Sequence, residues 1–391
     1  MDAPLRLAIV GGGGRGKSFL IPMDALRDKV TPVAVFDPSE IVLEWWKEHR
    51  PDVRRFGRYE DLLEHSNADA VLIASPLIHH APQAVQALNA GKHVLSEVVA
   101  GVTIEQCWEL VEAVERTKLV YMLAENYCYM RSNMMVLNMV QQGIFGELTY
   151  AEGAYIHDCR ALMLNSDGTL TWRGALRRMF KGNIYPTHSI GPVAQWFSIN
   201  RLGGDRFVRT TTFVTKTAAL PLYVKERFGA EHPGAKPEFW VNGDSVTTII
   251  ETEKGALIVL RVDANSARPH NMTHYVLQGT TAAYISARHG DEENLIWIKG
   301  RSPGYSWEPL MNYADEYEHP KWRKLGELAK GTGHGGGDLL VLNDFADAVL
   351  QGTPPPIDVY DAVTWSSLVP LSIESVNRGN IPVDVPNFKR L

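Results

Sequence analysis

Two side chains near the middle of the sequence, Tyr185 and His188, are candidates for acid/base chemistry. Pro186 lies between them, and proline suits the first turn of a helix because that turn does not use its missing N–H. Side chains three residues apart on a helix can face the same way, so the phenol and the imidazole could act on one proton. The alternative is structural: both side chains could cap a helix and satisfy each other in the core.

Composition and charge exclude several classes of function. A length of 391 residues allows two domains with ordinary cores. The net charge of -6 provides no basic field for nucleic acid, and no apolar run reaches the length of a membrane span. The three cysteines form no CxxC, so we expect neither a disulfide framework nor a metal site. With no secretory signal after Met1, we expect a cytoplasmic protein.

A glycine-rich run after the first apolar stretch, residues 5–10, indicates a dinucleotide site. The run contains Gly11, Gly13, Arg15 and Gly16, with the spacing GxGxxG. Glycine permits a tight turn and a close approach of the backbone to a pyrophosphate. A helix predicted over residues 17–26 would point its first amides at that phosphate. The position between a strand and a helix raises the value of a spacing that is weak by itself.

Asp37 ends the second predicted strand, residues 32–36. It follows Gly16 by about twenty residues, the distance expected of an acid that binds the adenosine ribose. A carboxylate there would repel a 2′-phosphate, so NAD is favoured over NADP. The alternative is that Asp37 is a turn residue before Pro38.

Strands and helices alternate up to about residue 124, which predicts a parallel sheet covered on both faces. Ligands of such sheets bind at the carboxyl ends of the strands. The residues expected at those ends, and hence near the cofactor, are Ser75, Leu77, His80, Glu97, Val98 and Asn126. We therefore expect a dinucleotide-binding domain over residues 1–124.

The second half, residues 125–391, reads as an α+β domain that binds substrate and forms oligomers, with C-terminal helices packing back. Residues 245–251 and 256–262 are joined by a short turn, as in a hairpin. Residues 225–242 are rich in Gly, Pro and charge and are expected to form a loop. The glycines at 333–337 introduce a predicted helix over residues 338–350. His334 and Asp338 could contact a sugar there, or the stretch could be a linker and a helix cap.

The stretches SPLIHH, AGKHVLSE and ENYCYMRSNMM resemble the glucose-fructose oxidoreductase and inositol dehydrogenase family. The resemblance implies a Rossmann doubly wound parallel sheet, followed by an α+β domain with a large open, mostly antiparallel sheet. Dehydrogenases of that family usually carry a lysine that assists proton transfer, within a Glu-Lys-Pro motif. This chain has Glu97, Val98 and Val99 instead. Because valine cannot move a proton, this departure weighs against ordinary dehydrogenase chemistry.

More of the chain resembles the family 109 glycoside hydrolases of that superfamily. The matching stretches are the glycine loop, Glu97–Val98, ENYCYMR, YIHDCR, WR, GNIYPTH, INRLGGDRF, GHGGGD and IDVYDAVTW. The resemblance implies catalytic roles for Tyr185 and His188, with His188 also near the cofactor. The substrate contacts it implies are Tyr155, Arg173, Tyr185, His270 and His334. The sequence departs from the family pattern at Val99, where a proline is expected, and at His270, where a tyrosine is expected near the sugar.

The family chemistry depends on NAD. A hydride leaves C3 of the sugar, a base removes the acidified hydrogen at C2, the group at C1 is eliminated, water adds, and C3 is reduced again. This route needs no pair of carboxylates. Two alternatives stay open: an NAD-dependent sugar or cyclitol dehydrogenase, and a non-catalytic sugar or nucleotide sensor. The expected partners are a small glycoside and further copies of the chain, as a dimer or tetramer.

Overall fold

The computed structural model describes residues 3–269 and 273–389. The chain divides into two compact units. The first unit comprises Met1–Arg131, His319–Ser367 and Phe388–Leu391, and the second comprises Ser132–Glu318 and Leu368–Asn387. Each unit is built on a sheet of its own.

Both units combine strands with helices. In chain order, the strands are β1 (Leu5–Val10), β2 (Val30–Phe36), β3 (Arg54–Phe56), β4 (Ala70–Ile73), β5 (His93–Ser96), β6 (Tyr121–Leu123), β7 (Leu148–Ile156), β8 (Phe207–Val214), β9 (Ser245–Thr252), β10 (Leu257–Asp263), β11 (Thr273–Gly279), β12 (Ala282–Ile285), β13 (Leu295–Ile298), β14 (Glu308–Pro309) and β15 (Val383–Asp384). The helices are α1 (Gly14–Ser18), α2 (Leu20–Ala25), α3 (Glu40–His49), α4 (Tyr59–His65), α5 (His80–Asn89), α6 (Ile104–Thr117), α7 (Arg131–Gln141), α8 (Trp172–Met179), α9 (Thr187–Trp196), α10 (Ala219–Phe228), α11 (Ala314–Tyr317), α12 (Pro320–Ala329), α13 (Gly337–Gln351), α14 (Val359–Ser366) and α15 (Leu368–Asn377).

The sheet of the first unit has six strands in the order β3-β2-β1-β4-β5-β6. Every strand pair in it is parallel. The central strand β4 is buried on both faces, as expected of a sheet covered by helices on both sides. The prediction of a doubly wound Rossmann sheet is therefore confirmed.

The helix after the glycine loop differs from the expected single helix over residues 17–26. It forms two short pieces, α1 and α2, which meet at Phe19. Pro22 lies in the first turn of α2, where its missing N–H is tolerated, and this allows a new helix to begin there.

The first unit also contains a segment from far along the chain, residues 319–367. Helix α13 packs against α2 and β1, and α14 packs against α6 and β6. The Leu123 N–H donates to the Ile357 carbonyl at 3.2 Å. A single division at residue 124 therefore does not describe the two units, because the tail helices supply part of the first unit's core.

The sheet of the second unit has nine strands in the order β14-β13-β12-β11-β7-β10-β9-β8-β15. Strands β7 and β10 are parallel, and the other pairs are antiparallel. The predicted hairpin corresponds to β9 and β10. The sheet is thus large and mostly antiparallel, as expected.

The predicted loop over residues 225–242 is only partly a loop. Helix α10 continues to Phe228, and its Leu220 and Val224 belong to a buried cluster with Trp240. These apolar side chains gain enough burial to hold a helix in a stretch whose composition suggests a loop.

Among the described residues, no helix is both long and apolar enough to cross a membrane.

Candidate functional site

The glycine loop follows β1 in the first unit and fits a bound dinucleotide. A Cβ atom on Gly16 would lie 2.2 Å from the Gly11 carbonyl oxygen, and one on Gly11 would lie 2.7 Å from the main chain of Ala74. Gly11 also has a φ of +93°, which favours glycine. At Gly13 an added Cβ would meet no atom of the described residues within 4 Å. The loop is therefore tight on its inner side and open on its outer side, where a pyrophosphate can approach the backbone.

Trp46, which the sequence reasoning missed, holds this loop in place. Its indole N–H donates to the Gly12 carbonyl oxygen at 2.8 Å, and its side chain is fully buried. No sequence pattern indicates this contact, because Trp46 belongs to α3, beyond the second strand.

Asp37 lies where it was expected, directly after β2. Its Oδ1 accepts the Ser39 N–H at 2.9 Å, so the turn role considered as an alternative is present. A carboxylate has two oxygens, and the turn uses only one of them. The prediction that Asp37 binds the adenosine ribose stays a prediction.

His80 is buried and engaged by main-chain carbonyls. Its Nδ1 lies 2.7 Å from the Val99 oxygen and its Nε2 lies 2.8 Å from the Ser75 oxygen. Burial lowers the pKa of His80, against the two carbonyls, which raise it. Because both ring nitrogens face the protein, we expect His80 to hold the loops after β4 and β5 and not to contact a ligand itself. Beside it, Leu77 is buried and Ser75 Oγ donates to Gln83 Oε1.

A charged cluster joins the glycine loop to the start of α13. Arg15 donates from Nε to Glu97 Oε1 at 2.6 Å and from both Nη atoms to Asp338 at 2.8 Å. The Asp338 carboxylate also accepts from Asn126 Nδ2 at 2.8 Å, and His334 Nδ1 lies 2.9 Å from it. Burial lowers the pKa of Arg15, but the carboxylates of Glu97 and Asp338 together outweigh it and raise this pKa above its ordinary value.

The predicted cofactor residues Arg15, Glu97 and Asn126 thus lie together. Asn126 Oδ1 is buried and has no hydrogen-bond partner in the described protein. A buried acceptor without a partner is rare and indicates a missing ligand or water. The backbone N–H of Val98 lies 3.3 Å from Glu97 Oε2. The donor and acceptor groups at this edge of the sheet therefore fit a polar cofactor such as NAD.

In the second unit, Tyr155, Tyr185 and His188 form one aromatic cluster. The ring centroids are 5.7 Å apart for Tyr155 and Tyr185, 5.1 Å for Tyr155 and His188, and 5.0 Å for Tyr185 and His188. The two tyrosines are half-buried and His188 is buried. A phenol and an imidazole this close can serve proton transfer at one substrate.

Two local features place this cluster. At Gly153 of β7 a Cβ would lie 2.0 Å from the Ser189 carbonyl oxygen, so glycine lets the first turn of α9 approach the strand. Before α9, Gly182 exchanges hydrogen bonds with the Asn242 side chain, at 3.2 and 3.0 Å. Asn242 was not singled out from the sequence. The first contact sets the strand that carries Tyr155 against the helix that carries His188, and the second holds the segment that leads into that helix.

Arg173 lies in the first turn of α8, with its guanidinium 4.2 Å from the ring centroid of Trp172. Its charge also acts on the buried Cys159 thiol, whose pKa burial raises. Cys159 Sγ lies 3.2 Å from His157 Nδ1. The YIHDCR stretch and α8 therefore lie side by side. His270, another predicted substrate contact, lies outside the described residues.

Arg177, one turn after Arg173, was missed by the sequence reasoning. It is 4% exposed, and the one hydrogen bond found for its side chain among the described residues is a long one, 3.5 Å to the Gly243 carbonyl. Burial lowers the pKa of Arg177 to about 10, against nearby Cys159, Asp263 and Asp244, which raise it. A buried guanidinium so poorly satisfied is costly.

Among residues 3–269 and 273–389, no group of His, Cys, Asp or Glu could hold a metal ion.

Comparison with known families covers both parts of the chain. Residues 129–391 match the family described as "Glycosyl hydrolase 109, C-terminal domain". Residues 5–125 match the family described as "Oxidoreductase family, NAD-binding Rossmann fold".

Curated relatives extend over nearly the whole chain. A glycosyl hydrolase family 109 protein of Stenotrophomonas maltophilia (strain K279a) is 38% identical, over 98% of this chain and 89% of the relative. A glycosyl hydrolase family 109 protein of Solibacter usitatus (strain Ellin6076) is 36% identical, over 100% of this chain and 89% of the relative.

Solved structures show the same fold at low identity. A levoglucosan dehydrogenase, in complex with NADH and L-sorbose, superposes with a TM-score of 0.79 at 19% identity, covering 98% of this chain and 99% of that one. An inositol dehydrogenase homolog from Azotobacter vinelandii, complexed with NADH and myo-inositol, superposes with a TM-score of 0.73 at 21% identity, covering 98% of each chain.

Proposed function

Because this chain belongs to glycosyl hydrolase family 109, we propose that it hydrolyses small glycosides by a redox-neutral route that needs NAD. Within this proposal the specificity resembles that of an α-N-acetylgalactosaminidase. When bound, NAD would supply the reversible hydride transfer at sugar C3. The protein supplies binding, orientation and proton transfer.

The observation that carries the proposal is the cluster of Tyr155, Tyr185 and His188. Elimination across C1 and C2 requires a base for the C2 hydrogen, and oxidation at C3 requires a base for the hydroxyl proton. A phenol and an imidazole with ring centroids 5.0 Å apart can serve these steps. Val98 supports the same proposal, because the lysine that usually assists dehydrogenation is replaced there.

Arg173 is proposed to stabilise negative charge on the sugar. Removing the C2 hydrogen beside a C3 ketone gives an enolate, whose oxygen carries the charge. A guanidinium aimed at that oxygen would lower the barrier. The stack on Trp172 restricts the Arg173 side chain before substrate binds.

The second candidate is an NAD-dependent sugar or cyclitol dehydrogenase. It is consistent with the solved structures of similar fold, but identities of 19% and 21% carry the fold and not the activity. The two functions differ in products. A dehydrogenase accumulates NADH from a free sugar, whereas the proposed glycosidase releases an aglycone without net NADH.

A panel of aryl α- and β-glycosides tests the proposal. We expect aglycone release by the holoenzyme, loss of release when the dinucleotide is stripped, and recovery when NAD⁺ is restored. In D₂O the released sugar should carry deuterium at C2. Hydrolysis that is unchanged after complete removal of the cofactor, or turnover without deuterium at C2, would contradict the mechanism.

The chain is also proposed to form a homo-oligomer, a dimer or a tetramer. Side chains alternate between the faces of a strand, so Phe213 and Leu257 project from the sheet face opposite α9. Both are exposed in the single chain. Light scattering coupled to size-exclusion chromatography measures the state directly, and a monomer at working concentration would contradict this part of the proposal.

A further inference from the structure

We infer that Asp338 is a positioning residue that fixes which atoms of the first unit accept hydrogen bonds from the cofactor. Its carboxylate is 1% exposed. Arg15 binds it in a bidentate manner, with both N–O distances at 2.8 Å. Asn126 Nδ2 donates to its Oδ1 at 2.8 Å, and His334 Nδ1 lies 2.9 Å from its Oδ2. Both oxygens are therefore fully used.

The charge on Asp338 constrains the atoms around it. Burial raises the pKa of this carboxyl, but Arg15 and His334 outweigh burial and hold the pKa of Asp338 well below its usual range. An ionised carboxylate only accepts hydrogen bonds, so each partner must present a donor. The Asn126 amide is therefore oriented with its nitrogen towards Asp338, and the His334 ring carries a hydrogen on Nδ1.

The opposite end of the Asn126 amide is then an acceptor. Asn126 presents Oδ1, which is buried and lacks a hydrogen-bond partner among the residues that the structure describes. A buried acceptor is costly until a donor reaches it. The arrangement therefore favours a ligand group with N–H or O–H donors at this edge of the sheet.

The sheet order indicates which half of the dinucleotide carries that group. Asp37 follows β2 on one side of the glycine loop, whereas Asn126 follows β6 on the other side. If Asp37 takes the adenosine ribose, the nicotinamide half extends towards β4, β5 and β6. The carboxamide NH₂ of the nicotinamide is the donor that we assign to Asn126 Oδ1.

Binding of two dinucleotides tests this inference. The probes are NAD⁺ and 3-acetylpyridine adenine dinucleotide, in which a methyl group replaces the carboxamide NH₂ and no charge is added. We expect the wild-type protein to bind NAD⁺ at least about tenfold more tightly by calorimetry, because the analogue leaves a buried acceptor unpaired. In Asp338→Asn the amide can donate as well as accept, so the Asn126 amide can turn over, and the preference should fall below about threefold.

Asp347→Asn is the matched control. Asp347 lies on the same helix, is partly exposed and pairs with Lys29 at 2.7 Å. It should keep the wild-type preference. A purely structural role for Asp338 would weaken both dinucleotides by the same factor, and that result would overturn the inference, as would a wild-type protein without preference.

If Asp338→Asn does not fold, Asn126→Ala tests the acceptor that Asp338 is inferred to orient. Removing Oδ1 should abolish the preference for NAD⁺, and a preserved preference would overturn the inference. The test rests on the first unit's NAD binding and measures no turnover, so it stands or fails separately from the proposed glycosidase activity.

Discussion

Tyr185, at the scale of single residues, is the phenol most directly tested. It lies just before α9 and against His188, with ring planes nearly perpendicular. Tyr185→Phe keeps the ring and removes the hydroxyl. If the hydroxyl transfers a proton, glycoside turnover should fall by about two orders of magnitude or more while NAD binding is unchanged. Tyr305→Phe, at a fully exposed tyrosine, is the control and should retain wild-type rates. Wild-type turnover in Tyr185→Phe would leave the residue with a structural role.

Arg177 leads to a prediction about stability: removing its charge should stabilise the protein. Its pKa is lowered to about 10 by burial, so below that pH the folded protein holds a charge that is more stable in the unfolded chain. This cost disappears as pH rises from about 10 towards the ordinary value of 12.5. Arg177→Met should therefore raise the free energy of unfolding in urea at neutral pH by about 1–3 kcal/mol.

The control for that prediction is Arg178→Met on the same helix. Arg178 is exposed and lies 4.1 Å from the ring centroid of Phe239, so its loss should cost no more than about 1 kcal/mol. A lower stability for Arg177→Met would show that the guanidinium has a strong partner in solution. An increase in stability with a loss of turnover would instead point to a functional charge.

At the scale of elements, the contact of β7 with α9 depends on Gly153, because a residue with a side chain would not fit there. Gly153→Ala would place a methyl carbon 2.0 Å from the Ser189 carbonyl oxygen, so the helix must move. We expect a loss of about 1–3 kcal/mol in the free energy of unfolding, and lower turnover because His188 moves with the helix. The added methyl group of Gly290→Ala would meet no described residue within 4 Å, so this variant should change neither quantity. Equal behaviour of the two variants would contradict this account of the packing.

Elements with a strong local pattern were predictable from the sequence. Strands such as β4 are short apolar runs bounded by polar or turn residues, and α6 begins at a threonine, Thr103, whose side chain accepts the Gln106 N–H. The rule that ligands bind at the carboxyl ends of parallel strands then indicated the loops after β4, β5 and β6 as the cofactor site. Helix α10 was missed in part because its stability comes from burial of Leu220 and Val224, which has no local signature.

The links made by tertiary structure were not predictable. Arg15 and Asp338 are 323 residues apart, and neither the pairing nor its effect on Asn126 follows from spacing. Trp46 likewise contacts Gly12 through packing of α3. The resemblance supplied Tyr155 beside Tyr185 and His188, whereas spacing alone suggested only the last two.

At the scale of the whole molecule, the first unit is discontinuous in sequence. Helix α13 contributes buried apolar residues to it, among them Leu339, Leu342 and Phe345. A fragment of residues 1–131 would lack these side chains and also Asp338, one of the two carboxylates that bind Arg15. We expect it to show weak near-ultraviolet circular dichroism and no cooperative thermal unfolding. A fragment that unfolds cooperatively and binds NAD as the full chain does would contradict this prediction.

The cysteines give a second prediction at this scale. Cys107, Cys128 and Cys159 are all buried, and burial raises the pKa of each thiol, to about 12 for Cys107. Because the thiolate is the reactive form, a disulfide reagent such as Ellman's should label the native protein very slowly. In denaturant all three should react at once. Rapid labelling of the native chain would show that at least one thiol is open to solvent.

The indole of Trp46 has an optical consequence. Its N–H is held by the carbonyl of Gly12, inside the loop proposed to meet the pyrophosphate. Reduced nicotinamide absorbs where tryptophan emits, so NADH held by this loop would quench tryptophan emission, that of Trp46 included, by energy transfer. Titration with NADH would then report occupancy of the first unit through a built-in fluorophore, without substrate or label.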